Sequence, residues 1–323
     1  MDEQPRFDLT VREAWQETPL VRAIRLARSH DEPLPSWEAG AHIKVSVPRS
    51  DERSYSLVNL SADASVNTHP RSYLLGVRLE EPSQGGSVYM HSLKPGDVVA
   101  ASAPSNNFPL QATTKPVVLL AGGIGVTPIV SMAAELRARG HPFRFYYAGR
   151  SRDQLAFLPM IEKLSGDNLS IHTDDVSDLF NVVGLMTSLS NDEPLYCCGP
   201  MPMIDLTIKT AKDLGWSAGR LHFEIFTAAQ PKAGDQAFEV VLKSSGESFH
   251  IPAGRSILDV LIAAGKDPMH DCKRGDCGIC QVGVIEGVPD HRDFILSDSE
   301  KAAGKLMQIC VSRSKTPRLV LDL

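Results

Sequence analysis

Nine residues near the carboxyl end constrain this chain more than any others. Cys272-Lys273-Arg274-Gly275-Asp276-Cys277-Gly278-Ile279-Cys280 sets three cysteines at C-x4-C-x2-C spacing, and 29 residues separate Cys280 from a fourth, Cys310. That is the spacing of a plant-type [2Fe–2S] site. Two irons bridged by two sulfides need four thiolates, three here from one loop and one brought from elsewhere. Gly275 and Gly278 are small enough to let the loop turn its N–H groups inward, where they hydrogen-bond the sulfurs and tune the potential. A structural zinc site is the alternative, but it usually shows two Cys-x2–4-Cys pairs, and only one side is clustered here. A cluster of this type takes one electron at a time at about −400 mV. It is an outlet for low-potential electrons and makes or breaks no bond of a substrate.

The remainder of the chain has to feed that outlet. Its 323 residues suit two or three domains, and 42% hydrophobic content is enough to fill their cores. A net charge of −6 argues against nucleic acid and anionic membrane as partners. No apolar run reaches the roughly 18 residues that span a bilayer, and the charged start MDEQPRFDLTVREAW has no apolar signal core. A cytoplasmic enzyme is expected. In a reducing compartment six cysteines do not read as disulfides.

Residues 6 to about 110 read as short strands punctuated by Pro and Gly: Leu20–Leu26, His42–Val47, Tyr55–Val58, Tyr73–Leu79 and Asp97–Ala101. They predict a small antiparallel barrel. Near residue 116 the pattern changes to strand–helix alternation. Val117–Ala121, Phe143–Ala148, Leu169–His172 and Leu195–Cys198 read as buried strands, with helices over Pro128–Arg139, Arg152–Leu164 and Met201–Leu214. That alternation predicts a parallel sheet covered on both faces. Thr227–Gln236 reads as a linker. Beyond it come a hairpin (Phe238–Leu242, Ser248–Ile251), a helix opened by Ser256 and stopped by Gly265, the cysteine loop, and strands at Gln281–Glu286 and Leu319–Leu321.

Three further motifs carry chemistry. Ala121-Gly122-Gly123-Ile124-Gly125-Val126-Thr127-Pro128 follows a buried strand and opens a helix, where glycines let backbone approach a pyrophosphate at the helix N-terminus. Gly-rich turns also arise from packing alone, and this one is neither G-x-G-x-x-G nor a P-loop. Cys197-Cys198-Gly199-Pro200 ends another strand at the edge where open α/β sheets bind ligands, and Cys198 is the better candidate for the ligand side. In the barrel half, Arg53-Ser54-Tyr55-Ser56 offers a cation for a phosphate and a ring to stack on a flat ligand.

Taken in order, RSYS, QGGS (Gln84–Ser87), AGGIGVTP, YYAGR (Tyr146–Arg150), YCCGP, EIF (Glu224–Phe226) and the cysteine loop resemble the phthalate dioxygenase reductase family along the whole chain. The resemblance implies a multidomain protein: an antiparallel β-barrel flavin domain (1–112), an α/β parallel-sheet NAD domain (113–226), the linker (227–236), and an α+β, β-grasp-like plant-type ferredoxin domain (237–323). It implies FMN, NADH and a Rieske-type terminal oxygenase as electron acceptor. By motif, Arg53 is expected at the FMN phosphate, with Gly85, Gly86 and Ser87 cradling it. Tyr55 and Ser56 are expected along the isoalloxazine, with Ser56 near its N5 edge, and Ser54 is expected among the cofactor-binding residues. Gly122, Gly123, Gly125 and Thr127 are expected on the dinucleotide, with Cys198 and Gly199 across from them. Ser56, Cys198 and Phe226 are expected beside the reacting rings. Cys272, Cys277, Cys280 and Cys310 match the ferredoxin ligands. Arg150 and Arg152, after the second strand of the sheet, stand where a 2′-phosphate would be met, so NADPH stays open beside NADH. One departure is Gln84, where relatives often carry Arg. Two other readings are a stand-alone NADH:acceptor reductase of the ferric or cytochrome type and a flavin-binding redox sensor without turnover.

Overall fold

The computed structural model describes residues 6–323 apart from 31, 49–51, 82, 84, 191, 218 and 228–231. The chain separates into two compact units, Met1–Glu224 and Ile225–Leu323.

The first unit begins with six antiparallel strands: β1 Arg6–Gln16, β2 Val21–Ala27, β3 His42–Val45, β4 Arg53–Ser56, β5 Tyr73–Arg78 and β6 Val98–Ser102, with short helices α1 Ser65–Thr68 and α2 Gly86–Ser92 in the connections. Their order is β4-β3-β6-β1-β2-β5. The two edges meet just beyond β4, where Leu57 bridges to Leu75 and the Val58 N–H donates to the Leu74 carbonyl at 2.9 Å. That contact nearly closes the sheet into a barrel, filled by Leu9, Ile24, Leu26, Ile43, Leu75 and Met90. Strand β5 is buried on both faces, an unusual pattern for an antiparallel strand. Its second face is covered by residues from beyond the barrel. At Gly76 an added Cβ would stand 2.8 Å from the Phe157 ring and 3.0 Å from Thr127 Cγ2.

The second half of this unit is a parallel sheet: β7 Val117–Gly122, β8 Phe143–Gly149, β9 Leu169–Thr173, β10 Leu195–Cys198 and β11 Leu221–Glu224, ordered β11-β10-β7-β8-β9. The helices are α3 Val126–Ala138, α4 Leu158–Ser165, α5 Val182–Ser188 and α6 Met201–Asp213. Every residue of β7 is buried, as its unbroken apolar run predicts. The chain winds outward through β8 and β9, then returns to the other side of β7 to form β10. The switch point therefore lies between β7 and β10, at their carboxyl ends. One apolar cluster runs through both halves, from Val21, Val58 and Leu74 of the barrel to Leu119, Ile129 and Phe157 of the sheet region. The helix expected over 152–164 is instead two pieces. Arg152–Gln154 is a 3-10 turn, Phe157 takes a left-handed φ of 61°, and α4 starts at Leu158. Pro159 is the cause: in a continuous helix its ring would strike the carbonyl four residues back, whereas in a first turn it costs nothing.

The second unit holds β12 Phe238–Leu242, β13 Ser248–Ile251, α7 Ile257–Ala263, β14 Gln281–Glu286, β15 Pro289–Asp290, α8 Asp298–Ala303, β16 Leu306–Gln308, β17 Arg313–Ser314 and β18 Arg318–Asp322. Five strands form a mixed sheet ordered β13-β12-β18-β14-β16, with β12 and β18 parallel, while β15 and β17 pair separately. Ile257, Leu258 and Leu261 turn α7 into the core of this β-grasp arrangement. The α7 N-cap is Ser256, whose hydroxyl accepts the Asp259 N–H at 3.1 Å. Part of the expected linker is fixed to this unit. Arg292 donates to both Asp235 oxygens, at 3.0 and 2.6 Å, and Arg313 lies 3.7 Å away. No helix among the described residues is long and apolar enough to cross a membrane.

Candidate functional site

The Gly-rich turn and the Cys-Cys-Gly turn meet at the switch point. Ala121 and Cys198 are register partners on β7 and β10, and each strand then breaks into its turn. A Cβ on Gly122 would stand 2.6 Å from Pro200 Cδ, one on Gly199 3.1 Å from Gly122 Cα, and one on Gly125 2.2 Å from the Cys198 carbonyl oxygen. Glycine at these positions lets two backbones lie against each other, where any side chain would drive them apart. Gly123 differs: nothing lies within 4 Å, and its φ of +54° is the reason for glycine. The outcome is a bare backbone shelf at the head of 13-residue α3, the kind of surface a pyrophosphate fits. Thr127 is buried, and its hydroxyl donates to the Ile124 carbonyl at 3.1 Å.

The paired cysteines face opposite ways, as strand alternation requires. Cys197 lies 3.8 Å from the Thr207 hydroxyl of α6, and burial pushes its thiol up to about 12. Cys198 is buried in the cluster that includes α3 residues. Arg150 is exposed just past β8, while neighbouring Arg152 is paired with Glu162.

In the barrel, β4 lies along β3, with Ser56 opposite His42 and Tyr55 opposite Ile43. Ser56 is buried, and Arg53, Ser54 and Tyr55 are half-buried. Burial pushes the Tyr55 hydroxyl up to about 12 against the opposing pull of Arg53, so it stays a neutral donor. Helix α2 comes to this strand closely: a Cβ on Gly86 would stand 2.9 Å from Arg53 Cγ and 3.4 Å from Tyr55 Oη. Gly85 caps α2 at φ 99°, a conformation reserved for glycine. The Ser87 hydroxyl accepts the Glu80 N–H at 3.2 Å and lies 3.0 Å from Ser83 Oγ. Arg53, Tyr55, Gly86 and Ser87 thus share one corner, whose cation, ring and unhindered backbone fit a flat ligand with a phosphate tail. Gln84 lies outside the described residues. Phe226 belongs to the second unit and is 37% exposed.

Pairing of β14 with β16 delivers the fourth cysteine. Gln281 stands opposite Gln308, so Cys280, just before β14, is carried to Cys310, just after β16. Cys272 lies within hydrogen-bonding reach of Cys277 and Cys310, and Cys280 within reach of Cys310. Among the described residues no three His, Cys, Asp or Glu side chains surround a single metal position. Hydrogen-bonding reach links Cys277 to Cys272, Cys272 to Cys310 and Cys310 to Cys280. Four thiols linked in this way, three from one loop and one from elsewhere, suit the ligand set of a [2Fe–2S] cluster. Gly275 and Gly278 have φ of 83° and 80°, and Lys273 is left-handed at 54°. These turns aim N–H groups at sulfur, with Arg274 N donating to Cys272 Sγ at 3.3 Å. Donation from Cys277 and Cys310 draws the Cys272 thiol far down, and its two donors are pushed up in turn. Arg274 and Asp276, charged residues inside the cysteine loop, are enclosed by the fold: their side chains are 10% and 7% exposed. Asp276 accepts the Ile225 N–H at 3.2 Å, and burial lifts its carboxyl to about 7.

Sequence reasoning missed Gly76, Phe157, Ser131 and Asp235. A glycine inside a β pattern and a serine inside an apolar helix were the available signals for Gly76 and Ser131.

Comparison with known proteins agrees with this geometry. The 2Fe-2S iron-sulfur cluster binding domain matches residues 240–315. A vanillate O-demethylase oxidoreductase of Pseudomonas sp. (strain HR199 / DSM 7063) is 39% identical over 308 residues, 94% of this chain and 95% of that one. The solved phthalate dioxygenase reductase, described as a modular structure for electron transfer from pyridine nucleotides to [2Fe-2S], superposes with a TM-score of 0.73 at 35% identity, covering 98% of each chain. Full-length CYP116B46 from Tepidiphilus thermophilus matches with a TM-score of 0.79 at 31% identity over 98% of this chain, which spans only 42% of that longer one. Likeness of this extent, running from the barrel strands through the switch point and into the cysteine loop, makes this chain an oxidoreductase of the phthalate dioxygenase reductase family.

Proposed function

We propose that this chain is the NADH-dependent reductase component of a two-component Rieske-type aromatic oxygenase or O-demethylase, working in the cytoplasm. One observation carries the reading. Four mutually close thiols lie on the same chain as a dinucleotide switch point and a barrel corner suited to FMN, so intake and outlet for electrons share one polypeptide. FMN, when bound, supplies the conversion between the two electrons NADH gives and the single electrons a [2Fe–2S] cluster accepts. The protein's part is to bind, orient and exclude water.

We assign Arg53, with Gly85, Gly86 and Ser87, to the FMN phosphate, and Ser54, Tyr55 and Ser56 to its ring. Gly122, Gly123, Gly125, Thr127 and Gly199 take the dinucleotide. Cys198 and Phe226 complete the reacting site, and Arg150 faces the adenosine end. Cys272, Cys277, Cys280 and Cys310 hold the irons. Six cysteines, all free of disulfides, suit a reducing compartment.

The test is spectroscopic and then functional. Purified protein is expected to show flavin and iron–sulfur absorption that bleaches under anaerobic NADH. Adding a Rieske oxygenase and its aryl substrate is expected to couple NADH oxidation to product. A colourless, zinc-containing protein overturns the reading, and bleaching without coupling to any oxygenase leaves only the stand-alone reductase.

A further inference from the structure

Ser131 lies in the middle of α3 and is completely buried. A serine inside a helix ordinarily bonds back to the carbonyl four residues earlier. Here that carbonyl, on Thr127, is 3.4 Å away, while the hydroxyl donates to the Leu57 carbonyl of the barrel at 2.8 Å. The same oxygen accepts the Asn59 N–H at 2.9 Å. A carbonyl at one position and an N–H two positions on are the groups an antiparallel neighbour would satisfy. One side chain therefore replaces a strand on the free edge of the segment just past β4.

Its location gives the bond a role. Leu57 is the residue after Ser56, so the carbonyl is one step, roughly 3.3 Å of chain, from the assigned flavin strand. Thr127 is one helical turn, roughly 6 Å, from Ser131 along a rigid helix that starts at the dinucleotide shelf. The hydroxyl is thus a short, stiff link between the two assigned binding surfaces. Asn59 extends the link, since its side chain donates to Asn67 Oδ1 at 2.9 Å and fixes the loop behind it.

We propose that Ser131 is a positioning residue for hydride transfer, setting the separation of flavin and nicotinamide rings by tying the end of β4 to α3. The inference rests on the functional reading above. In the reaction, the C4–H bond of the dihydronicotinamide breaks, and its hydrogen nucleus and both bonding electrons form the N5–H bond of the flavin. NADH leaves as NAD+, and the flavin is reduced by two electrons. Such a transfer needs reacting atoms about 3–3.5 Å apart, and a displacement near 1 Å can cost on the order of 100-fold in rate.

The experiment compares Ser131→Ala and Ser131→Thr with the unaltered holoprotein by anaerobic stopped flow. The Ala variant is expected to bleach with saturating NADH at least tenfold more slowly and to show a larger isotope effect with C4-deuterated NADH. Its long-wavelength flavin–nicotinamide charge-transfer absorbance is expected to weaken, while KM for NADH and the FMN dissociation constant stay within twofold. The Thr variant, which keeps the hydroxyl, is expected within twofold of wild type. If Ser131→Ala does not fold, Ser131→Cys, with a weaker donor of similar size, is expected to slow bleaching at least threefold. An unchanged bleaching rate and charge-transfer band overturn the proposal. So does a variant that loses FMN tenfold while its remaining holoprotein reacts at the normal rate. Wild-type protein that takes up no flavin overturns the functional reading instead.

Discussion

At single residues the site depends on where side chains are forbidden as much as on where they act. Gly125 and Gly123 sit two apart in the same turn, yet they are glycine for different reasons. A methyl on Gly125 would meet the Cys198 carbonyl at 2.2 Å, whereas one on Gly123 meets nothing but forces a left-handed φ on alanine. Gly123→Ala is expected to cost about 1 kcal/mol in thermal or urea unfolding of the holoprotein. Gly125→Ala is expected to cost about 3 kcal/mol, and to raise KM for NADH at least tenfold, because backbone must move. Equal effects would contradict the packing of this turn. Cys272→Ser and Cys310→Ser are expected to abolish the paramagnetic signal of the reduced cluster while leaving flavin absorption. A full signal in either variant would remove that residue from the ligand set. The four cysteines were legible because metal chemistry dictates residue type and spacing. The burial of Arg274 and Asp276 was not, since charge in a loop reads as solvated until the fold encloses it.

Among the elements, the apolar runs of β7 and β10 and the switch to strand–helix alternation were readable because each element's period reflects its own burial. What escaped was information held between elements. The double burial of β5 depends on Phe157 and Thr127, which arrive from far along the sequence. The break before α4 was written at Pro159 but was hidden by an otherwise helical pattern. At the end of the expected linker, polar composition conceals the ion pair of Asp235 with Arg292. That pair gives a pH prediction. Hydrogen bonds from Arg292 lower the Asp235 carboxyl from 3.8 to about 2, so its contribution to stability is complete above about pH 4 and is lost as pH falls toward 2. Asp235→Asn is expected to destabilise the second unit by about 2 kcal/mol near neutral pH, because Arg292 is left with Asp290 alone and Arg313 loses a nearby carboxylate. The difference from wild type is expected to shrink between pH 4 and pH 2 in acid-unfolding curves, and a constant difference would deny Asp235 that role.

For the molecule as a whole, the two compact units predict separable chemistry. A chain ending at Phe226, which keeps the aromatic ring assigned to the reacting site, is expected to keep FMN and to reduce ferricyanide with NADH within about threefold of the full chain, since the core of the first unit runs unbroken through barrel and sheet. It is expected to support no oxygenase turnover, and any coupling above background would show that the cluster is not the exit. The register of β14 and β16 carries a wider consequence. Cys280 and Cys310 come together only when that sheet is formed, so iron joins two stretches of chain as a clasp. In a cell starved of iron the clasp stays open while the first unit is complete. Reducing power would still enter such a molecule, and dissolved dioxygen, the nearest substitute acceptor, would collect it as peroxide.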